Sequence, residues 1–159
     1  MTDELELPTE VDYVIERGKP MPSKNHSRLE RRLGVVLTPY EDRFDIMPEL
    51  SLELSAGKAT PDICLYPKLA FDWLDDEIRM TDPPITAIEI LSPKQSLDDI
   101  KDKIFTVLFA SGVQSAWVVV PTFQTIYVLT PDRQVRTFSE GKLLDLVTGV
   151  SIELSEVFR

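Results

Sequence analysis

The sequence predicts an α/β (α+β) fold in which helices and strands form a layered sandwich, and three observations support this fold class. An amphipathic pattern typical of a helix comes early in the chain, and several short segments rich in β-branched and aromatic residues follow it. A second helical pattern separates the middle segments from the last ones. This order of helix, strands, helix and strands is typical of a mixed α/β or α+β sandwich.

Each predicted element rests on a local pattern. Leucines and valines that recur on one helical face predict a helix over residues 25–37. Ser96, with Asp99 three residues later, resembles a capping box and predicts a second helix that runs to about residue 111, where Gly112 ends it. Strands are predicted in residues 44–54, 63–66, 87–91, 116–120 and 125–129, with weaker candidates at 134–138 and 150–154.

The charge of the chain limits how it can bind nucleic acid. Its 159 residues include 17 Lys and Arg against 27 Asp and Glu, which gives a net charge of −10. Since bulk binding to nucleic acid depends on clustered lysine and arginine, this balance excludes a protein that coats nucleic acid. Any such role must rest on a local site. One candidate is a basic cluster on the first helix, with a solvated helix face as the alternative; it consists of Lys24, Arg28, Arg31 and Arg32.

We expect a cytoplasmic protein with one domain. No apolar run approaches the roughly 18 to 20 residues that span a bilayer, and the acidic start lacks the pattern of a signal peptide. The single cysteine, Cys64, cannot form an internal disulfide, which is typical of a reducing compartment. Residues 1–10 are predicted to form a flexible acidic lead. Residues 11–159 are predicted to form a single domain, because no Gly/Ser-rich linker divides them.

Two acidic residues stand at positions where a carboxylate is costly. Asp62 opens an apolar strand directly after a proline, and Glu89 lies inside another strand, between Ile88 and Ile90. An ionised carboxylate in such a strand is strongly unfavourable unless a cation or hydrogen bonds compensate it. Either the alternation of the strand turns Glu89 to a solvated face of the sheet, or Asp62 and Glu89 end adjacent strands and share a divalent cation.

The second interpretation predicts a hydrolytic site. Mg²⁺ removes the repulsion between two converging carboxylates, and it usually keeps several of its waters. One such water can serve as nucleophile, while the cation offsets the charge that a phosphate develops in the transition state. A nearby lysine would stabilise the same charge or orient the water.

Three segments of the chain carry a resemblance to a known family: TPDICLYP, ITAIEILSPKQSLDDIKDK and SGVQSAWVVVPTFQTIYV. They resemble the Uma-two family of restriction endonucleases in the PD-(D/E)XK nuclease superfamily, and DYVIERGKPMPSKNHS and SIELSEVF extend the resemblance over most of the chain. The resemblance implies a restriction-endonuclease-like central mixed sheet flanked by helices. It also implies a metal-dependent endonuclease that uses Mg²⁺ or Mn²⁺ on nucleic acid, with DNA favoured, and it is compatible with a homodimer. A catalytically silent binding or regulatory module with the same fold is the alternative.

The resemblance also implies roles for particular residues. Asp62 matches the aspartate of the PD pair and Glu89 the acidic residue of (D/E)XK, so both would be catalytic metal ligands. The lysine of that tripeptide is replaced by Leu91, and in this family the following helix often supplies the lysine, at the position of Lys103. The helical wheel instead favours Lys101 as the inward lysine. Resemblance favours Lys103, which we predict to be the catalytic one.

Two further residues are predicted at the edge of the site. His26, the only histidine, would support the site or contact substrate, with a structural or surface role as the alternative. Many family members have Tyr-Glu-Leu near the start, whereas residues 13–15 contain no acid here, and Glu16 is nearby in a different register. The chain departs from the family pattern once more in the second helix, because residues 103–112 are one residue longer than expected.

Overall fold

The computed structural model describes residues 9–159, and its centre is a six-stranded mixed β-sheet. The strands are β1 (Phe44–Pro48), β2 (Leu52–Leu54), β3 (Gly57–Ala59), β4 (Ile63–Pro67), β5 (Thr86–Ile90), β6 (Ser115–Val120), β7 (Thr125–Leu129), β8 (Val135–Phe138), β9 (Lys142–Leu144) and β10 (Ser151–Glu153). The helices are α1 (Glu10–Arg17), α2 (Lys24–Leu37), α3 (Leu97–Lys103) and α4 (Leu154–Val157). Within the described range, no helix is long and apolar enough to cross a membrane.

The central sheet has the strand order β1-β4-β5-β6-β7-β8. Strands β5 and β6 are parallel, and every other neighbouring pair in this sheet is antiparallel. Two small hairpins, β2 with β3 and β9 with β10, lie outside it. This arrangement confirms the predicted α/β (α+β) fold with a central mixed sheet flanked by helices.

Helices and a hairpin cover the two faces of the sheet, so its central strands are buried. The apolar stripe of α2 packs on one face, in a cluster that includes Leu33, Ile88 and Trp117. The hairpin of β2 and β3 and the helix α3 cover the other face, where Ala87 and Val118 are buried. Every residue of β5 and β6 is buried. A charged side chain on β5 therefore has to find its partners inside the protein.

The helix α1 begins at Glu10, which the sequence predicts to be part of a flexible lead. The Thr9 hydroxyl accepts the Asp12 N–H at 3.2 Å, and the Asp12 carboxylate accepts the Thr9 N–H at 3.1 Å. This capping box starts the helix locally, although none of its residues is buried. Gly18, with a φ of 69°, ends it in the left-handed region. The rest of the predicted lead, residues 1–8, lies outside the described residues.

The second predicted helix runs from its cap at Ser96 to its stop at Gly112, but its winding changes on the way. The Ser96 hydroxyl accepts the Asp99 N–H at 3.1 Å, as the capping pattern predicts. After α3, Ile104–Leu108 form a π-helical turn and Phe109–Ser111 a 3₁₀ turn. A π turn closes over one more residue than an α turn does. It therefore takes in one residue more than regular α winding would, and the difference in length from the family pattern stays a prediction.

The predicted strands are present, with one correction and two omissions. Residues 44–54 form two strands, β1 and β2, instead of one segment, because Glu49 between them has a φ of 53°. The sequence patterns do not predict β3 and β9, which are three residues long each. Such short strands contain too few residues for a recognisable alternation.

Candidate active site

Asp62 and Glu89 lie side by side on neighbouring antiparallel strands. Ile63 pairs with Ile88 where β4 meets β5, so the residue before Ile63 lies opposite the residue after Ile88. The Asp62 carboxylate also accepts the backbone N–H of Ile90 at 2.6 Å, which ties the two strands together. Asp62 is 1% exposed and Glu89 is 3% exposed. The interpretation of Glu89 as part of a solvated sheet face is therefore wrong.

Two buried basic side chains hold the Asp62 carboxylate. Lys19 Nζ lies 2.8 Å from Asp62 Oδ1, and His26 Nε2 lies 2.9 Å from the same oxygen. Burial raises the pKa of Asp62, but the hydrogen bond from His26 and the charge of Lys19 outweigh it and hold this pKa below its usual value. Burial lowers the pKa of His26, but the hydrogen bond to Asp62 and the charges of Asp62 and Glu30 together raise this pKa above its usual value. Asp62 is therefore ionised, and its charge is compensated.

Within residues 9–159, Glu89 has no comparable partner. Its Oε1 is buried without a hydrogen bond, and Lys103 Nζ lies 3.9 Å away, beyond hydrogen-bonding distance. Burial raises the pKa of Glu89 to about 7, although the charge of Lys103 lowers it. Lys101 lies at the surface instead, 3.3 Å from Asp98. Of the two candidate lysines, Lys103 is the one that the structure brings to the carboxylates.

Residues that the sequence patterns do not reveal complete a carboxylate cluster. Ligand oxygens of Glu30, Glu49 and Asp62 lie within 4.8 Å of one another. Lys19 joins two of them, because its Nζ also lies 2.9 Å from Glu49 Oε2. Burial, followed by the charge of Glu49, raises the pKa of Glu30 to about 7. Glu30 stands four residues after His26 on one face of α2, and this spacing is a signal that could have found it.

A basic cleft of about 340 Å³ opens beside these carboxylates. Two residues that line it contact the acids of the site, because Lys103 lies 3.9 Å from Glu89 and Arg17 is paired with Glu49. Glu16, predicted at the edge of the site, is exposed on the wall of the cleft. Four cationic side chains line it: Arg17, Lys58, Arg79 and Lys103.

The basic cluster on α2 lies elsewhere. Arg28 donates two hydrogen bonds to the Arg159 carbonyl, at 3.1 and 2.8 Å. Arg32 donates two to the Glu156 carbonyl, at 3.0 and 2.8 Å. These two arginines fasten α2 to the end of the described chain, while Lys24 is exposed in a separate cleft with Leu91 and Ser92. The basic cleft is a second candidate surface for phosphate.

Residues 4–156 match the sequence model of the Uma2 family, which is described as "Putative restriction endonuclease". The chain belongs to the Uma2 family. This membership confirms the resemblance that the PD, E-I-L-S-P and later segments carry. The Uma2 chain is also similar to a crystal structure described as a putative nuclease belonging to DUF820 from Anabaena variabilis. The two share 23% identity over 88% of this chain and 83% of that chain, with a TM-score of 0.74. At this identity the similarity shows a shared fold, and no curated protein matches the chain.

The donor set of this Uma2 protein fits a hard divalent cation. Mg²⁺ and Mn²⁺ prefer carboxylate oxygens, which Glu30, Glu49 and Asp62 supply within 4.8 Å of one another, with Glu89 on the strand beside Asp62. Among the described residues, Glu30 Oε1 and Glu89 Oε1 are the carboxylate oxygens that are buried without a hydrogen-bond partner, so both would gain from a cation. The fit therefore rests on these oxygens as well as on the number of acids.

Proposed function

We propose that this Uma2 protein is a metal-dependent endonuclease that hydrolyses phosphodiester bonds in nucleic acid, with DNA as the first substrate to test. The observation that carries the proposal is the buried pair of Asp62 and Glu89, with Lys103 beside Glu89 at the end of the basic cleft. Membership of a family described as restriction endonucleases supports the same activity.

Asp62 and Glu89 would hold Mg²⁺ or Mn²⁺, and Glu49 and Glu30 offer further oxygens nearby. When bound, such a cation supplies a water of lowered pKa and offsets charge on the phosphate. His26 orients Asp62 through the bond to its Oδ1. The other oxygen, Asp62 Oδ2, accepts the backbone N–H of Ile90, so both oxygens of the carboxylate are held in place.

Lys103 would act on the phosphate. Its ammonium is partly exposed in the basic cleft, where it can reach a bound backbone and stabilise the charge that develops during hydrolysis. The other cations of the cleft would position the phosphates on either side. This local set explains how a chain with a net charge of −10 can still bind nucleic acid.

The test is cleavage of supercoiled plasmid, linear duplex, single-stranded DNA and RNA with Mg²⁺ or Mn²⁺. The double variant Asp62→Asn, Glu89→Gln should have no activity. Lys103→Met should lower the rate by about 10²-fold or more, as expected for a group that stabilises transition-state charge. Lys101→Met is the matched control, because it removes a lysine of the same helix that is paired with Asp98 at the surface. Its rate should stay within about twofold of wild type.

A different pattern would contradict the proposal. If wild type cleaves none of these substrates faster than the double variant, the endonuclease assignment fails. Retained binding of the same substrates would then favour the catalytically silent module. Equal rate losses in Lys103→Met and Lys101→Met would show that Lys103 has no special role. The homodimer and the cytoplasmic location stay predictions from the sequence.

A further inference from the structure

Lys19 is a buried ammonium between two carboxylates. Its Nζ lies 2.8 Å from Asp62 Oδ1 and 2.9 Å from Glu49 Oε2, and its side chain is 6% exposed. Lysine is almost never this buried unless it is paired, and here the two carboxylates offset the cost of removing the ammonium from water. The ammonium thus gives these oxygens the charge compensation that a metal ion would otherwise give them.

The segment that brings Lys19 to the cluster is weakly packed. The helix α1, which ends two residues before it, has no buried residue. Ion pairs hold this helix to the domain, from Arg17 to Glu49 and from Lys94 to Glu10. The second pair is exposed and therefore contributes little. Few apolar contacts oppose a movement of α1 and the residues after it.

We propose that Lys19 is an internal competitor of the metal: a divalent cation enters the carboxylate cluster only as the Lys19 ammonium leaves Asp62 and Glu49. The inference rests on the proposed function, because it concerns the same carboxylates. It makes Lys19 a residue that lowers metal affinity and couples metal binding to α1. In the metal-free protein, the Lys19 ammonium then occupies the carboxylate cluster. In the metal-bound protein, α1 is held less tightly to the rest of the domain.

The opposite role makes an opposite prediction. If Lys19 merely held Asp62 in the geometry that a metal needs, its removal would weaken metal binding. If Lys19 competes, its removal strengthens metal binding, because the ion no longer displaces a charged hydrogen-bond donor from two carboxylates. The sign of the change in affinity therefore separates the two roles.

The experiment is calorimetric titration of the full chain with Mn²⁺, without nucleic acid. We expect Lys19→Met and Lys19→Gln to lower the dissociation constant about tenfold or more, since each removes a charge-assisted contact that the ion must break. Lys19→Gln keeps a hydrogen-bond donor for Asp62 and serves if the methionine variant does not fold. Lys101→Met is the matched control, because it removes a surface lysine that is paired with Asp98 and not with the carboxylates of the site. Its effect should stay within about twofold, as screening limits exposed charges.

Hydrogen exchange of the α1 amides provides a second test, because Mn²⁺ would not speed this exchange if Lys19 had only a structural role. Saturating Mn²⁺ should speed exchange of the α1 amides in wild type and slow it around the carboxylates. In Lys19→Gln, the α1 amides should exchange fast with or without Mn²⁺. Protection of α1 by Mn²⁺ in wild type would overturn the proposal.

The outcomes distinguish this proposal from the endonuclease assignment. If wild type binds Mn²⁺ and the Lys19 variants bind it equally or more weakly, the competitor proposal is overturned and the metal site stands. If neither wild type nor any Lys19 variant binds Mn²⁺, the metal site is overturned and the competitor falls with it. If the Lys19 variants bind Mn²⁺ more tightly but no variant cleaves nucleic acid, the competitor stands and the endonuclease assignment fails.

Discussion

Two buried acids of the domain have opposite surroundings, and their chemistry differs accordingly. Asp145 is fully buried and accepts hydrogen bonds from the Ser115 hydroxyl and the Trp117 indole, each at 2.8 Å. It also accepts the backbone N–H of Val147 at 2.8 Å. Glu89 is as buried but leaves Oε1 without a partner. The first acid is a structural anchor, and the second is the one that can take up a new ligand.

The same isosteric change should therefore have opposite effects at these two positions. Asp145→Asn places an amide NH₂ among donors and should lower the free energy of unfolding by about 2 kcal/mol. Glu89→Gln removes an uncompensated buried charge and should raise it by about 1 kcal/mol at pH 8. Urea unfolding with EDTA at pH 8 measures both. Destabilisation by Glu89→Gln would mean that Lys103 compensates the carboxylate better than a separation of 3.9 Å suggests.

The sequence could predict some members of the site because each lies in a local pattern. Asp62 and Glu89 interrupt apolar strands, and Lys103 follows a capped helix. Lys19 and Glu49 could not be predicted in this way. Lys19 contacts Glu49 and Asp62, which lie 30 and 43 positions later in the chain. Lys19 and Glu49 lie in turns, outside the helices and strands. No local periodicity encodes such a contact, since only the folded sheet brings these turns together.

At the level of elements, the irregular helix after Glu89 combines the candidate catalytic lysine with a change of helical winding. Lys103 ends α3, and the π turn Ile104–Leu108 follows at once. Ile104 and Leu108 are both buried, so the turn keeps the apolar face on the core while it takes up an additional residue. Such turns are frequent at functional sites, because they change the register of one helical segment against the next.

Deletion of one residue from the π turn should be tolerated. Thr106 is exposed in it, and its loss should restore regular α winding with Lys103 still beside Glu89. Deletion of Asp102 is the matched control, because it removes an exposed residue from the regular part and rotates the preceding helix by about 100°. We expect less than about 1 kcal/mol of destabilisation for the first deletion and more than about 3 kcal/mol for the second. Urea unfolding measures both, and equal losses would contradict this account of the turn.

The elements that sequence patterns do not predict share a physical reason. The helix α1 depends on the cap at Thr9 and has no buried residue, so no apolar stripe marks it. The division of residues 44–54 depends on the left-handed backbone of Glu49, a conformation that ordinary residues seldom adopt. Long strands and helices that bury a face follow from their periodicity, and elements fixed by caps, turns or tertiary contacts do not.

For the whole molecule, the distribution of charge matters more than the net charge of −10. Acidic residues gather in the exposed segment 72–77, while cations line the basic cleft. Nucleic acid should therefore bind in one place, with few phosphate contacts. The acids around Asp62 and Glu89 are among those that do not contribute to solubility, and they influence how the stability of the domain depends on pH.

Stability of the metal-free protein should fall between about pH 5 and pH 8. The pKa values of Glu30 and Glu89 are raised from 4.5 to about 7, so the folded state holds protons that the unfolded state has lost. Their contribution is complete below pH 4.5 and is lost as the pH rises through about 7. The pKa of His26 is raised as well and acts in the same direction, whereas that of Asp62 is lowered and changes stability only in acid.

We expect a loss on the order of 2 kcal/mol over this range, measured by urea unfolding in EDTA at pH 5, 6.5 and 8. The double variant Glu30→Gln, Glu89→Gln should remove most of this dependence, because neither side chain then titrates. Glu53→Gln, at an exposed position of β2, controls for the general loss of negative charge and should leave the slope unchanged. A slope that is the same in the double variant and in wild type would show that these carboxylates are ionised throughout. Burial and mutual repulsion would then be too weak to keep a proton on Glu30 or Glu89 in the metal-free protein.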